Sequence, residues 1–347
     1  MDHGQHSPQH AGALKQGRLS LNVGLELTKP GIIVGNLASV FGGYLLAAGG
    51  RPVSLAHLLA ALLGTALVIA CGCVINNCVD RDIDRRMVRT CHRALAVRAV
   101  SLPSAFCYAT VLGVIGFGLL WVGTTALACA MAAVGLIVYA GVYTCLMKRR
   151  SHWGTLVGSL SGAMPPVVGY CAVTGSFDAT ALMLIVVFCC WQMPHSHAIT
   201  VMRHEDFRAA GLPTLTLRQA RREINLYMVA FLISAAILGW VAAINVSYPL
   251  VVLGLGGYWF YLTLRPVRTT NAKVWARRIF SVSILLILAL NLSLALNAVL
   301  PSPSALYHSS GVGENHQTQV RGGLSESVTT AFTDHLEETH GQRSFNN

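Results

Sequence analysis

Asn76, Asp80 and Asp84 recur at intervals of four residues within the run Cys73-Val74-Ile75-Asn76-Asn77-Cys78-Val79-Asp80-Arg81-Asp82-Ile83-Asp84-Arg85-Arg86. In a helix that interval returns to nearly the same face each time. One amide and two carboxylates would therefore share a stripe, directly after the apolar stretch Leu55 to Ile75. Oxygen ligands clustered in this way suit a hard divalent cation such as Mg²⁺, which completes its shell with water and substrate phosphate. The same pattern also describes a solvated helix end whose charges stop a span, and spacing alone leaves both readings open.

Further polar groups fall where an apolar chain should exclude them, at a desolvation cost that marks them as functional candidates. Gln192, His195, Ser196 and His197 lie in the run Cys190-Trp191-Gln192-Met193-Pro194-His195-Ser196-His197-Ala198. Pro194 is expected to loosen that helix. A second acidic run follows, Arg203-His204-Glu205-Asp206-Phe207-Arg208, and Lys148, Arg149 and Arg150 close another apolar stretch. Acids flanked by Lys and Arg beside apolar helices describe a site for a metal-bound polyanion with a greasy tail. A diphosphate carried on a lipid chain satisfies both halves. The segment Gly158-Ser159-Leu160-Ser161-Gly162-Ala163-Met164-Pro165-Pro166 permits close helix contact, and its paired prolines are expected to bend or break the helix.

These groups must be held by membrane helices. Of the 347 residues, 54% are hydrophobic and 11% charged, with a mean hydropathy of +0.56, whereas soluble domains carry roughly 25% charged residues. Spans need about 20 apolar residues. Nine such runs are legible, near Gly31–Ala48, Leu55–Cys78, Ser101–Trp121, Thr125–Met147, Gly154–Val173, Ala179–Thr200, Ile224–Ile244, Tyr248–Leu264 and Ile279–Leu300. They are too long and too continuously apolar for barrel strands, which alternate over about 10 residues. The fold class expected is an all-α polytopic bundle of about nine transmembrane helices.

The net charge of +11 does not point to nucleic acid, because 22 of the 25 Lys and Arg fall on one side of the nine spans. By the positive-inside rule that side, with the N terminus, is cytoplasmic and the C terminus is outside. Met1 to Leu27 is polar, unlike a signal peptide, and reads as a disordered cytoplasmic tail carrying His3, His6 and His10. Pro301 to Asn347 has no apolar periodicity and reads as a second disordered tail, leaving residues 28–300 as the intramembrane domain. The ten cysteines are scattered along the spans and their cytoplasmic ends rather than arranged as a disulfide framework, and free Cys in such places behaves as a small apolar residue.

Taken together, these runs resemble the UbiA superfamily of intramembrane prenyltransferases, and within it the branch that farnesylates haem B. The resemblance rests on Thr28-Lys29-Pro30-Gly31, on Asn76 to Arg85 with Met87, Arg89 and Thr90, and on Tyr143-Thr144 with Lys148-Arg149. It continues in Gly162 to Pro166, Trp191-Gln192-Met193-Pro194-His195, and Asp206 with Ala210-Gly211-Leu212-Pro213. It implies a UbiA-like bundle around one cavity, in a bacterial inner membrane. It implies Mg²⁺ held by Asn76, Asp80 and Asp84, with Asp206 in a second acidic motif. Glu205 is the only acid adjacent to Asp206, and Phe207 stands where the family often has Tyr.

The implied reaction is transfer of farnesyl from farnesyl diphosphate to a vinyl group of haem B. Mg²⁺ with Lys148, Arg149 or Arg85 would stabilise the leaving group, and an aromatic face such as Trp191 the allylic cation. Gln192, His195, Arg203 and Asp206 complete the expected substrate contacts, His195 either ligating the haem iron or touching the macrocycle. Expected partners are these two substrates, membrane lipid and a protein that receives the haem. Two alternatives stand beside this reading: prenylation of an aromatic or quinone-precursor acceptor, and a polytopic transporter. A transporter's ionisable groups should lie near the bilayer midplane, whereas these collect at one face.

Overall fold

The structure is a computed structural model that describes residues 20–299. The histidines His3, His6 and His10 and the segment from Pro301 onward lie outside the described residues. Within them the chain is helical and no strand is present.

Five of the helices begin where a short polar side chain satisfies free backbone N–H groups. Ser54 caps α3 (Leu55–Asp84), Ser101 caps α4 (Leu102–Gly123) and Thr125 caps α5 (Ala126–Leu136). Asp178 caps α7 (Ala179–Met202), and Thr216 forms a reciprocal capping box with Gln219 at α9 (Leu217–Val241). Among the described residues, eight helices are long and apolar enough to cross a membrane: α2 (Pro30–Ala48), α3, α4, Ala126–Met147, α6 (Gly154–Thr174), α7, α9 and Thr269–Leu296. The last contains α12 (Ala272–Leu296). The remaining expected span, Tyr248–Leu264, is helical over residues 247–264 in three successive pieces: α10 (Ser247–Val251), wide turns over Val252–Gly256, and α11 (Gly257–Leu264). Ala126–Met147 likewise changes from α5 to wide turns at Ile137–Met147, ending in a bond from the Lys148 N–H to the Tyr143 carbonyl, five residues back.

Several expectations need correction. The N-terminal segment is not a featureless tail to residue 27. Leu21–Thr28 forms α1, capped by Ser20, and buries Leu27 on α3, where Asn77 Nδ2 donates to the Leu27 carbonyl at 2.9 Å. The second span runs past Cys78 to Asp84, which keeps Asp80 and Asp84 in regular helix. The last begins before Ile279, since Trp275 and Ala276 are buried and continue the packed face. Nor do the prolines interrupt their helices. Pro165 and Pro166 are buried within continuous α6, and Pro194 within continuous α7, because packing against neighbouring helices holds the backbone where propensity alone would release it.

α6 packs against α2, α5 and α7, and α12 closes the bundle against α2 and α7. The α2–α6 contact is made by glycine. A Cβ on Gly43 would stand 2.0 Å from the Pro166 carbonyl oxygen, and one on Gly169 would stand 2.0 Å from that of Val40. α3 and α4 are joined in the same way, through Gly64 and Gly116. Small residues let membrane helices approach closely enough for dispersion to hold them.

Candidate active site

The four-residue spacing on α3 does place one polar stripe, and the stripe is not solvated. Asn76, Asp80 and Asp84 are 4%, 2% and 3% exposed, which removes the reading of a charged helix end facing water. Asn76 Nδ2 donates to Asp80 Oδ2 at 2.8 Å and to Thr144 Oγ1 at 3.2 Å, the latter brought in by the wide turns after α5.

Cations surround these oxygens. Lys29 sits in the left-handed region (φ 56°) at the elbow between α1 and α2, and its Nζ donates to Asn76 Oδ1 at 2.5 Å. Lys148 pairs with Asp80 Oδ2. Arg93 binds both oxygens of Asp84, at 3.1 and 3.0 Å, and reaches Asn77 Oδ1 at 3.4 Å. Thr90 Oγ1 donates to the Asp84 carbonyl, closing the loop after α3 onto its own helix. Burial lowers the Lys29 pKa to about 8. Burial also works against the charge of Lys148, but Tyr143 and the Asp80 carboxylate hold its pKa above the ordinary lysine value. Arg89 is pushed down by burial and then by Arg93 and Arg203, with Asp206 and Asp84 opposing. Three arginines and two acids therefore share one electrostatic neighbourhood. α8 (His204–Ala209) reaches it because Phe207, Ala210 and Leu212 pack on Ile83 and Met87.

The donors fit a hard divalent cation. Asp80 Oδ1 is buried and has no hydrogen-bond partner, a cost that a native site ordinarily avoids. The neighbouring amide and carboxylate oxygens are the ligand type that Mg²⁺ takes. Among the described residues no three His, Cys, Asp or Glu side chains converge as a metal cluster, so Asp206 does not close on Asp80 and Asp84.

Other expected residues are placed differently. Arg149 grips exposed Asp82 at 2.7 and 2.6 Å and the Val79 carbonyl at 2.7 Å, because Asp82 is two residues from Asp80 and points to another side of α3. Arg85 is exposed, with its Nε on the Ala96 carbonyl at 2.5 Å. Arg203 is exposed and Asp206 half-buried. Sequence reasoning missed Arg93 as a site residue, and gave Lys29 and Thr144 no role beyond the motifs containing them.

A second constellation joins α7 to α12. Trp191 Nε1 donates to the Ser283 carbonyl at 3.0 Å, and His195 Nδ1 meets Ser283 Oγ at 2.7 Å. The His195 ring stacks on Trp191 at 4.9 Å and lies 4.8 Å from Phe280. Gln192 fills the space that a side chain at Gly162 would need. His197 points elsewhere. It is buried, with Nε2 2.8 Å from Glu223 Oε2 on α9 but off the hydrogen-bond direction.

Comparison with known proteins bears on this geometry. The model of the UbiA prenyltransferase family matches residues 36–291. Protoheme IX farnesyltransferase of Pseudomonas savastanoi pv. phaseolicola is 47% identical over 283 residues, covering 80% of this chain and 96% of that protein. Among solved structures, a digeranylgeranylglyceryl phosphate synthase shares the fold with a TM-score of 0.63 at 15% identity, covering 80% of this chain and 98% of the other. A UbiA homolog from Archaeoglobus fulgidus bound to GPP and Mg²⁺ gives 0.56 at 16% identity, covering 79% and 99%. With more than half its length matched by the family model, and 47% identity over 283 residues to a relative covered over 96% of its length, this membrane-spanning chain belongs to the UbiA prenyltransferase family.

Proposed function

We infer that this chain transfers the farnesyl group of farnesyl diphosphate to a vinyl group of haem B, giving haem O. Its identity to farnesyltransferases acting on protohaem supports the substrates. The observation that carries the chemistry is the buried Asn76–Asp80 pair, with one carboxylate oxygen unpartnered and Lys29, Lys148 and Arg93 around it. Residues 28–300 would form the catalytic unit.

Asn76, Asp80 and Asp84 would hold Mg²⁺, with Asp206 on the facing side of the diphosphate. Bound there, the ion would neutralise charge developing on the leaving group. Lys29, Lys148, Arg89 and Arg93 would bind the diphosphate oxygens and hold them in the orientation that leaves the allylic carbon toward the apolar interior. The apolar helices keep water from the allylic cation until the vinyl carbon has attacked it. Water then adds to the new cation on the haem side chain and a proton leaves, so the product gains one farnesyl and one hydroxyl. Trp191, Gln192 and His195, on a different helix from Asn76, would line the acceptor side. The test is to incubate the reconstituted protein with farnesyl diphosphate, Mg²⁺ and haem B and to resolve the pigments by mass spectrometry. A farnesylated, hydroxylated haem is expected. Prenylation of 4-hydroxybenzoate in its place would overturn the assignment.

The two histidines should separate cleanly. His195→Ala is expected to weaken haem B binding about tenfold, equivalent to about 1.4 kcal/mol, while a non-hydrolysable farnesyl diphosphate analogue binds within twofold of wild type. His197→Ala should lower the melting temperature, through loss of its partner Glu223, and leave both affinities in place. Loss of diphosphate affinity with unchanged haem affinity in His195→Ala would contradict the acceptor role.

Orientation follows from charge. Reporter fusions after Arg86, Arg150 and Lys273 should signal cytoplasm, and fusions after Gly50 and Gly175 the outer side, because 22 of 25 basic residues lie on one side of the spans. The reverse pattern would invert the assignment of the active face to the cytoplasm.

A further inference from the structure

Arg265, Arg277 and Arg278 border a groove of about 500 Å³ on the outer surface of the bundle, between α11 and α12. Tyr258 and Tyr261 line it with Leu262, Val274 and Val282. The groove is separate from the acceptor constellation even though it shares a helix with it. On α12, Ile279, Phe280 and Ser283 turn inward, the last two toward His195, whereas Arg277, Arg278 and Ser281 are exposed on the other side.

Three observations define what would fill it. The first is charge. Three guanidinium groups collect here, and among the described residues none of the three has an acidic partner. The second is preorganisation. Arg265 donates to Tyr261 Oη at 2.6 Å, with its guanidinium 4.9 Å from the centre of that ring, so one cation is already held over an aromatic face. The third is depth. Lys273, at the start of α12, bridges to Glu205 on α8 at 2.9 Å, which puts the groove at the same end of the bundle as the active site. Below it, α12 exposes Leu285, Leu288 and Leu292. An anion at the rim with a hydrocarbon tail running down an apolar helix face matches that arrangement. Basic pockets between membrane helices bind anionic headgroups in this manner, and tyrosines settle at the headgroup level.

We propose that Arg265, Arg277 and Arg278 form a binding site for the phosphodiester headgroup of an anionic phospholipid, separate from the prenyl-transfer site. The guanidinium pair of Arg277 and Arg278 would take the phosphate oxygens, Tyr258 would pack at glycerol depth, and the acyl chains would lie along Leu285 and Leu288.

The test uses the full chain in nanodiscs of phosphatidylcholine containing a minor fraction of phosphatidylglycerol, released into native mass spectrometry. The wild type is expected to retain phosphatidylglycerol over phosphatidylcholine by at least tenfold relative to their bulk ratio. In Arg277→Gln/Arg278→Gln that preference should fall to within twofold, while Arg277→Lys/Arg278→Lys keeps most of it. Farnesyl transfer in pure phosphatidylcholine should be unchanged in both variants. An unaltered preference in the glutamine variant would overturn the site. So would equal displacement of the lipid by inorganic phosphate, which would make it a site for free anions. Loss of haem B binding in the glutamine variant would assign the groove to the acceptor and overturn the proposal equally.

Discussion

Asp80→Asn is expected to lower haem farnesylation by roughly 10²–10³-fold, the scale on which removal of a single preorganised charge-stabilising group acts, while the protein still inserts and folds. The substitution keeps the volume of the side chain and its bond from Asn76, and removes one charge from a position 2% exposed. Two losses combine. The unpartnered Oδ1 is replaced by a group that cannot serve as an anionic ligand, and the Lys148 ammonium loses its counter-ion. Breaking a buried pair costs about 3–5 kcal/mol in stability, and less here because the Lys148 side chain keeps 21% of its surface exposed. The double variant Asp80→Asn/Lys148→Met separates the two effects, since it should recover stability but not activity. EDTA should abolish wild-type turnover and Mg²⁺ restore it. Activity within tenfold of wild type in Asp80→Asn would sink the site assignment. Asp84→Asn should act less on chemistry and more on the order of the loop after α3, because Asp84 is bound by Arg93.

Gly43→Ala should destabilise the bundle by more than the 1–3 kcal/mol typical of an overpacked core. The added Cβ would lie 2.0 Å from the Pro166 oxygen and 2.8 Å from its carbon, and both atoms are backbone that cannot rotate away. Pro166 lies in a continuous helix buried on all sides, so relief requires α2 and α6 to separate, and the elbow bearing Lys29 would move with α2. Gly169→Ala should behave alike, meeting the Val40 carbonyl. Gly118→Ala and Gly141→Ala, where nothing stands within 4 Å, should stay within about 0.5 kcal/mol of wild type. Thermal unfolding in one detergent reads all four, and equal melting temperatures for Gly43→Ala and Gly118→Ala would show that the close approach is not needed.

Apolar length and polar spacing made much of this architecture legible in the sequence. The spans could be located because a bilayer demands continuous apolar runs, and the Asn76–Asp80–Asp84 stripe because helical periodicity is a local property. Lys29, Thr144 and Lys148 lie 47 or 68 residues from the α3 groups they touch, and no local pattern reports such a meeting. Arg93 reaches Asp84 only because the intervening loop folds back. For the same reason, Arg149 near Asp80 in space did not mean Arg149 on Asp80. The short α1 escaped notice because eight residues carry little periodicity, and the continuity of α6 and α7 through proline was set by their neighbours.

The wide turns at Ile137–Met147 have an evolutionary consequence. Turns that close over five residues in place of four are rare and recur at functional sites. One residue is roughly 100° of rotation in a regular helix. A single-residue deletion in this stretch would therefore swing Thr144 and Lys148 away from Asn76 and Asp80. The lineage can therefore vary side chains along this span far more freely than its length, and insertions or deletions between Ile137 and Lys148 should be purged even where substitutions are tolerated.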